Sequence, residues 1–391
     1  MGEAGTAPGN PGARAVRGAQ TDGVSFVPGL TLARRFHDEV VAPLLARRLP
    51  GLRYSAGLLD GGSELLGLDT ARSTDHDWGP RTQIFVAVAP DAATVRAVLD
   101  AELPARFLGW PTRFAGGPTV RIGTVRADGD RHGVSVDELG AWLRDRLGVD
   151  PRAGLTAADW LATPTQRLAE LTGGAVFHDG LDGALTAVRA RLAWYPDDVW
   201  RHVLAACWQR VAQAEHLAGR CAEVGDDLGS RVVAAGLARD LMRLGLLTHR
   251  RWPPYAKWLG TVFAALPAAP PVVDALTTAL GPGDWPARQS GLLRALETVA
   301  GWTNGTGLTA PVEPTARPFH DRPFLVLDAG RFTEALRAAI TDPHLRDRPP
   351  LGAVDQYLDN VDVLTRPGRA RRVAAAVLPD RPPVVDSGPG A

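Results

Sequence analysis

Hydrophobic residues fall at two different spacings along this chain, and the change comes near Gly183. Before it, short β-prone runs alternate with helical patterns. Leu32, Phe36, Val40 and Leu44 recur at four-residue steps, with Leu45 beside the last, which predicts one amphipathic helix from Pro28 to Arg48. Leu52 to Leu59 reads as a buried strand ending in a glycine turn, and Glu64 to Leu68 as a short helical turn. Thr82 to Val88 predicts a second strand, and Asp91 to Leu99 a helix with Asp91 as its N-cap. Val120 to Val125 alternates as a strand does. Ser135 followed three residues later by Glu138 has the form of a capping box, so a helix is expected from Ser135 to about Leu147. Helices follow over Thr156–Thr163 and after Pro164, then a short strand over Ala175–Gly180.

From Gly183 helical periodicity dominates, in segments 183–194, 197–223, 228–250 and 254–266. Further helices are predicted near 270–280, 286–301, 330–341 and 352–364, with a strand over Phe324–Leu327. The expected fold class is α+β: a small mixed-sheet domain over residues 23–182, then a mainly helical domain over 183–378. Residues 1–22 and 379–391 lack an apolar pattern, which predicts a disordered arm and a disordered tail.

Composition changes this picture in four places. The 391 residues carry 43 basic and 43 acidic side chains, and that balance argues against nucleic acid as the main partner. The two cysteines, Cys207 and Cys221, have no metal-ligand spacing and suggest no disulfide framework. With no apolar run long enough to span a bilayer and no signal core at the N-terminus, a cytoplasmic protein without a membrane partner is expected. Finally, every basic residue but Lys257 is arginine. A lone ammonium in an arginine chain is either chance or a point charge for phosphate.

Candidate chemistry concentrates in Gly61-Gly62-Ser63-Glu64 and Ser73-Thr74-Asp75-His76-Asp77-Trp78. Glycines let backbone approach a bulky anion. In an extended segment Asp75 and Asp77 project side by side, and a hard divalent cation relieves their repulsion. A phosphate cradle beside a metal-holding acid pair is what phosphoryl or nucleotidyl transfer requires. The bland alternative for Asp75 and Asp77 is a solvated turn. Arg72 and Arg81 flank the pair and suit either phosphate or a carboxylate. Asp226-Asp227 reads as helix capping, and Trp200 and Trp208 as helix core. Asp355, Asp359 and Asp362, at i, i+4 and i+7, read as one solvated helix face. His37, His178 and His320 stand apart, so no zinc is assigned.

A Gly-Ser turn after a strand, a short helix, then Asp-x-Asp before the next strand resembles the signature of the polymerase-beta-like nucleotidyltransferase superfamily. Three later segments resemble the domain-of-unknown-function 4037 family. They are Gly174–Gly180 (GAVFHDG), Tyr195–Trp200 (YPDDVW) and Pro253–Trp258 (PPYAKW). The resemblance implies a nucleotidyltransferase that moves a nucleoside monophosphate from a nucleoside triphosphate to an unknown acceptor, a small-molecule hydroxyl or a protein side chain. It implies two Mg²⁺ ions on Asp75 and Asp77, and a phosphate held by Gly62 and Ser63. It also implies that Lys257 reaches the triphosphate from the helical domain. The superfamily places a third carboxylate on a later strand. The closer family has an acid between two valines there, where this chain has Val134-Ser135-Val136. Asp137 is the nearest acid and the candidate third catalytic residue. Glu138, Asp128 and Asp130 are the others, and the capping-box pattern assigns Asp137 and Glu138 to a helix's first turn. The alternative reading is a degenerate, non-catalytic module that binds nucleotide or a protein partner.

Overall fold

The structure is a computed structural model that describes residues 25–75, 78–114 and 131–377, with the backbone alone for Asp75 and Phe114. The expected terminal arm and tail and the Val120–Val125 strand lie outside the described residues. The chain divides into two compact units, one of residues 1–137 with 174–182, the other of 138–173 with 183–391. The expected boundary near 182 therefore has an exception: residues 138–173 pack with the helical unit.

The first unit opens with α1 (Gly29–Phe36), a π turn (His37–Val41) and α2 (Ala42–Arg48). The predicted single helix is thus interrupted, and Pro43 supplies the reason. Its ring has no N–H to donate and would strike the carbonyl four residues back, so the helix widens in the turn before it. Two strands follow, β1 (Tyr54–Leu58) and β2 (Thr82–Val86), both buried at every position. Next comes α3 (Ala89–Glu102). Its N-cap is Val88 rather than Asp91, because Pro90 suits the first turn, where a missing N–H costs nothing. Two small hairpins pair β3 (Arg106–Phe107) with β4 (Trp110–Pro111), and β5 (Arg113–Phe114) with β6 (Arg131–His132). The last strands are β7 (Val134–Glu138) and β8 (Ala175–Asp179).

The main sheet has the order β7-β2-β1-β8. Both neighbours of β1 run antiparallel to it, with Ala56 opposite Ile84 on one side and His178 on the other. Leu32, Phe36 and Leu45 of the helical run, Ile84 and Val86 of β2, Val95 and Leu99 of α3, and Val134 and Val136 of β7 close one core.

The second unit is helical, and together the units make the chain α+β. After α4 (Leu139–Leu147), α5 (Ala157–Leu161), α6 (Thr165–Thr172) and α7 (Ala184–Arg191), its centre is α8 (Asp197–Ala214). Then come α9 (Leu217–Glu223), α10 (Asp227–Thr248), α11 (Ala256–Ala264), α12 (Pro270–Leu280) and α13 (Trp285–Gly305). The predicted helix over 197–223 breaks between α8 and α9. Trp200 and Trp208 are core, as their spacing predicts. Their indole N–H groups donate to the Leu247 carbonyl at 3.1 Å and to Thr303 Oγ1 at 3.1 Å. Asp226 caps α10 by accepting from the Gly229 N–H. Asp227 pairs with Arg288, whose side chain is 1% exposed and also donates to Ser230 Oγ.

A two-residue hairpin, β9 (Arg317–Pro318) with β10 (Leu325–Val326), precedes α14 (Gly330–Ala338) and α15 (Pro343–Arg346). The predicted helix over 352–364 is two short pieces, α16 (Val354–Tyr357) and α17 (Val361–Leu364), before α18 (Pro367–Val377). Leu358 and Asn360 are extended, so Asp355, Asp359 and Asp362 do not share a helix face. The Asp355 side chain is turned inward instead, 7% exposed. It accepts from the Thr165 hydroxyl at 2.6 Å and pairs with Arg243 at 2.7 Å.

His202 on α8 is 1% exposed, with Nε2 unpartnered. Burial, with Arg348 and Arg337 adding repulsion, pushes its pKa down to about 4. An unfolded histidine takes its proton near 6.5, so between there and about 4 the unfolded chain binds a proton the folded one refuses. Stability is therefore expected to fall as pH drops through that window, by up to about 3 kcal/mol, and to be unaffected above it. Chemical denaturation between pH 7 and pH 4.5 should show this slope, and His202→Leu should flatten it. An unchanged slope in the variant refutes the assignment.

Candidate functional site

The candidate site is built where β1 leaves the sheet of the first unit. Leu59 is buried, and its N–H donates to the Gln83 side chain of β2 at 2.8 Å. The next three residues, Asp60, Gly61 and Gly62, all have positive φ, at 69, 94 and 120°. The chain then enters a 3₁₀ turn, Ser63–Leu66, closed by Gly67 in the left-handed conformation. The predicted short helical turn is thus present, one residue early and tighter than an α-helix.

Gly62 has two structural reasons to be glycine. Its φ of 120° with ψ of 145° lies where side chains are excluded. A Cβ there would also meet the Glu64 carboxylate at 2.4 Å. The Glu64 side chain folds back beneath the turn, 4% exposed, and makes an ion pair with Arg81 at the threshold of β2. Arg81 is thereby committed to a carboxylate. The sequence left it open between carboxylate and phosphate, and it placed Glu64 in the candidate stretch without a role. Gly62 itself is exposed, and Ser63 is half-buried.

Ser63 Oγ lies 3.4 Å from Ser73 Oγ, and Ser73 Oγ accepts from the Thr70 N–H at 3.1 Å. This places the Gly-Ser turn against the 3₁₀ segment Ala71–Asp75 that carries the first acid. The Asp75 side chain and all of His76 and Asp77 lie outside the described residues. The chain on both sides of them is fixed. Asp69 Oδ2 accepts from the Gly29 N–H at 2.6 Å and from the Trp78 indole at 3.2 Å. Trp78 is 1% exposed, stacked on Phe26 and edge-on to Trp110. Asp69 is a positioning residue that sequence reasoning missed. Nothing in a lone acid between Leu68 and Thr70 distinguishes it from a solvated one.

The third-carboxylate candidates divide. Ser135 does not open a helix. It lies in β7, whose burial alternates so that Val134 and Val136 face the core while Ser135 and Asp137 share the other face. Glu138 is the N-cap of α4, accepting from the Gly140 and Ala141 N–H groups at 2.7 and 2.6 Å. Valine β-propensity extends the strand through the expected first helical turn, and Glu138 performs the capping assigned to Ser135. Asp137 is therefore a strand residue, and its carboxylate lies 3.9 Å from Arg96. The Thr82 N–H donates to the Gly133 carbonyl. At strand rise, Asp137 is about 13 Å along β7 from that contact, and Ser135 about half as far. Asp128 and Asp130 lie outside the described residues.

Lys257 belongs to the other unit. It is exposed in the first turn of α11, its ammonium 4.7 Å from the Trp258 ring centroid. A cation at a helix N-terminus opposes the macrodipole, so the helix gains nothing from it there. Among the described residues no group of three or more His, Cys, Asp or Glu side chains could hold a metal ion. Apart from His76, the donors in the Gly61–Asp77 segment are carboxylate and hydroxyl oxygens, a set that fits Mg²⁺.

Residues 160–259 match the model of a family described as a domain of unknown function, DUF4037. The match contains all three segments on which that resemblance rests. No curated protein matches the chain. Among solved structures, a nucleotidyltransferase-like protein from Exiguobacterium sibiricum 255-15 is similar at 12% identity and a TM-score of 0.30. The similarity covers 70% of this chain and 77% of that one, and is too distant to carry a residue across. No helix among the described residues is long and apolar enough to cross a membrane.

Proposed function

We propose that this chain is a nucleotidyltransferase. The acceptor oxygen attacks the α-phosphorus of a nucleoside triphosphate, the bond to the β-phosphate oxygen breaks, and pyrophosphate leaves. The observation that carries this reading is the course of the chain from β1 to β2. A left-handed glycine turn leads to Ser63, and Ser63 touches the segment that ends in Asp75. Gly62 and Ser63 hold a phosphate through N–H groups and a hydroxyl. Asp75 and Asp77 hold Mg²⁺, which supplies charge neutralisation for the triphosphate. Asp137 takes the acceptor proton.

The test is calorimetry of Mg²⁺–nucleoside triphosphate binding to the wild type and to Asp75→Ala/Asp77→Ala. Metal-dependent binding is expected in the first and at least about a hundredfold weaker binding in the second, since two charged metal ligands are lost. Equal binding by both chains sinks the proposal. A second reading, a module that binds nucleotide without turnover, draws on Ser135. Ser135 is on the outward face of β7, at the place where the resemblance to the closer family implies an acid, and Asp137 lies beside Arg96. The two readings part on turnover. Pyrophosphate release across a panel of acceptors supports transfer; tight binding without release supports the module.

A further inference from the structure

The helical unit carries a second concentration of charge, remote in sequence from Gly61–Asp77. Arg144, Arg146, Arg167, Arg366, Arg369 and Arg372 line one cleft of about 590 Å³, within the size range of small-ligand sites. Asp145 is the one acid in its lining. In a chain of balanced charge, such a gathering of one sign is local. Part of it is committed internally: Arg167 pairs with Glu170 at 2.8 Å and Arg146 with Asp145. Arg144 is held loosely, 3.6 Å from both Glu138 and Asp150. The other three are exposed, and among the described residues no carboxylate pairs with Arg366, Arg369 or Arg372, although one Nη of Arg369 donates to the Asp362 carbonyl at 3.0 Å.

Their spacing sharpens the point. Arg366 stands just before α18, and Arg369 and Arg372 follow in its first two turns at three-residue steps, a spacing that sets neighbours along one side of a helix. Like charges three apart repel, and the N-terminal end of a helix adds its own positive potential. The carbonyl contact gives Arg369 one internal role, and among the described residues packing gives Arg366 and Arg372 none. An anion seated in the cleft would remove both penalties. The lining has no aromatic side chain on which a base could stack, so the arrangement reads charge rather than base identity. Guanidinium forks match phosphate oxygens in pairs.

We propose that this cleft binds a small oligophosphate through Arg366, Arg369 and Arg372. The shared chemistry is a chain of two or more phosphates, from a nucleotide or an inorganic source. The inference does not depend on the transfer reaction, because no residue of the Gly61–Asp77 segment lines the cleft.

The experiment titrates the full chain with inorganic triphosphate in EDTA, where metal-dependent binding is silent. Wild type and Asp75→Ala/Asp77→Ala are both expected to bind, which separates this cleft from the first site. Arg366→Ser/Arg369→Ser/Arg372→Ser should weaken binding at least about tenfold at an unchanged melting temperature. Adenosine triphosphate should show the same loss. Should the serine variant not fold, the triple Arg→Lys variant replaces it, with binding about threefold weaker as the forks are lost and the charge is kept. No triphosphate binding by the wild type overturns the proposal, as does a triple variant that binds like the wild type. Adenosine triphosphate binding without triphosphate binding would instead show base recognition. A short single-stranded RNA that binds where triphosphate does not would make the cleft a nucleic-acid surface. Either result also overturns the proposal.

Discussion

Gly174→Ala is expected to destabilise the first unit by about 2–5 kcal/mol and to loosen the turn that holds Ser63. Gly174 has a φ of 61°, and an alanine there carries the left-handed penalty of about 1–2 kcal/mol. The new Cβ would also lie 2.0 Å from the Leu58 carbonyl oxygen and 2.9 Å from Leu65 Cδ2. The first of these is backbone at the end of β1, so a rotamer change cannot relieve it. Overpacking of this kind adds about 1–3 kcal/mol. The Gly174 N–H donates to the Leu65 carbonyl at 2.8 Å, so the displacement passes directly into the Ser63–Leu66 turn. Scanning calorimetry should show the melting temperature falling by on the order of 10 °C. Gly51→Ala is the control: its φ is 87° with nothing within 4 Å, so it bears the handedness cost alone. Equal losses in the two variants would show that the contact with β1 is immaterial.

Arg81→Leu is the second large effect. It leaves the Glu64 carboxylate, 4% exposed, without its partner beneath the Gly-Ser turn. Breaking a buried pair from one side costs about 3–5 kcal/mol, because the remaining charge is neither solvated nor compensated. Removing both charges is far milder, so Glu64→Leu/Arg81→Leu should recover most of the loss. Urea denaturation of the two single variants and the double variant closes the cycle. If the double variant loses as much as the sum of the singles, the pair is not coupled and this account of the turn fails. Nucleotide binding should follow stability in these variants, since neither side chain is proposed to touch phosphate.

The elements were legible where periodicity alone decides them. The strand β1, the glycine turn, the helical character beyond Gly183 and the capping by Asp226 all follow from spacing and turn chemistry. Capping misled at Ser135, because Ser-x-x-Glu marks a helix start only where the preceding chain is free to leave the sheet. Here valines at 134 and 136 hold it in β7. The acid spacing at 355, 359 and 362 presupposed an unbroken helix, and the break at 358–360 sent Asp355 inward to Arg243 and Thr165. Pro43 could have forecast the π turn, and that signal stood in the sequence unread.

The sequence by itself determined the local course around the candidate site. Two glycines permit the turn, Ser63 follows them, and Asp75 and Asp77 stand one residue apart, whatever the rest of the chain does. Tertiary structure decided which charges are available. It buried Glu64 against Arg81, tied Asp69 to Gly29 and Trp78, and set Asp137 on a strand beside β2. It also brought β8, more than a hundred residues downstream, to the open edge of β1. The physical reason is range. Backbone conformation answers to nearest neighbours, whereas desolvation and ion pairing answer to groups that only folding brings within a few ångströms.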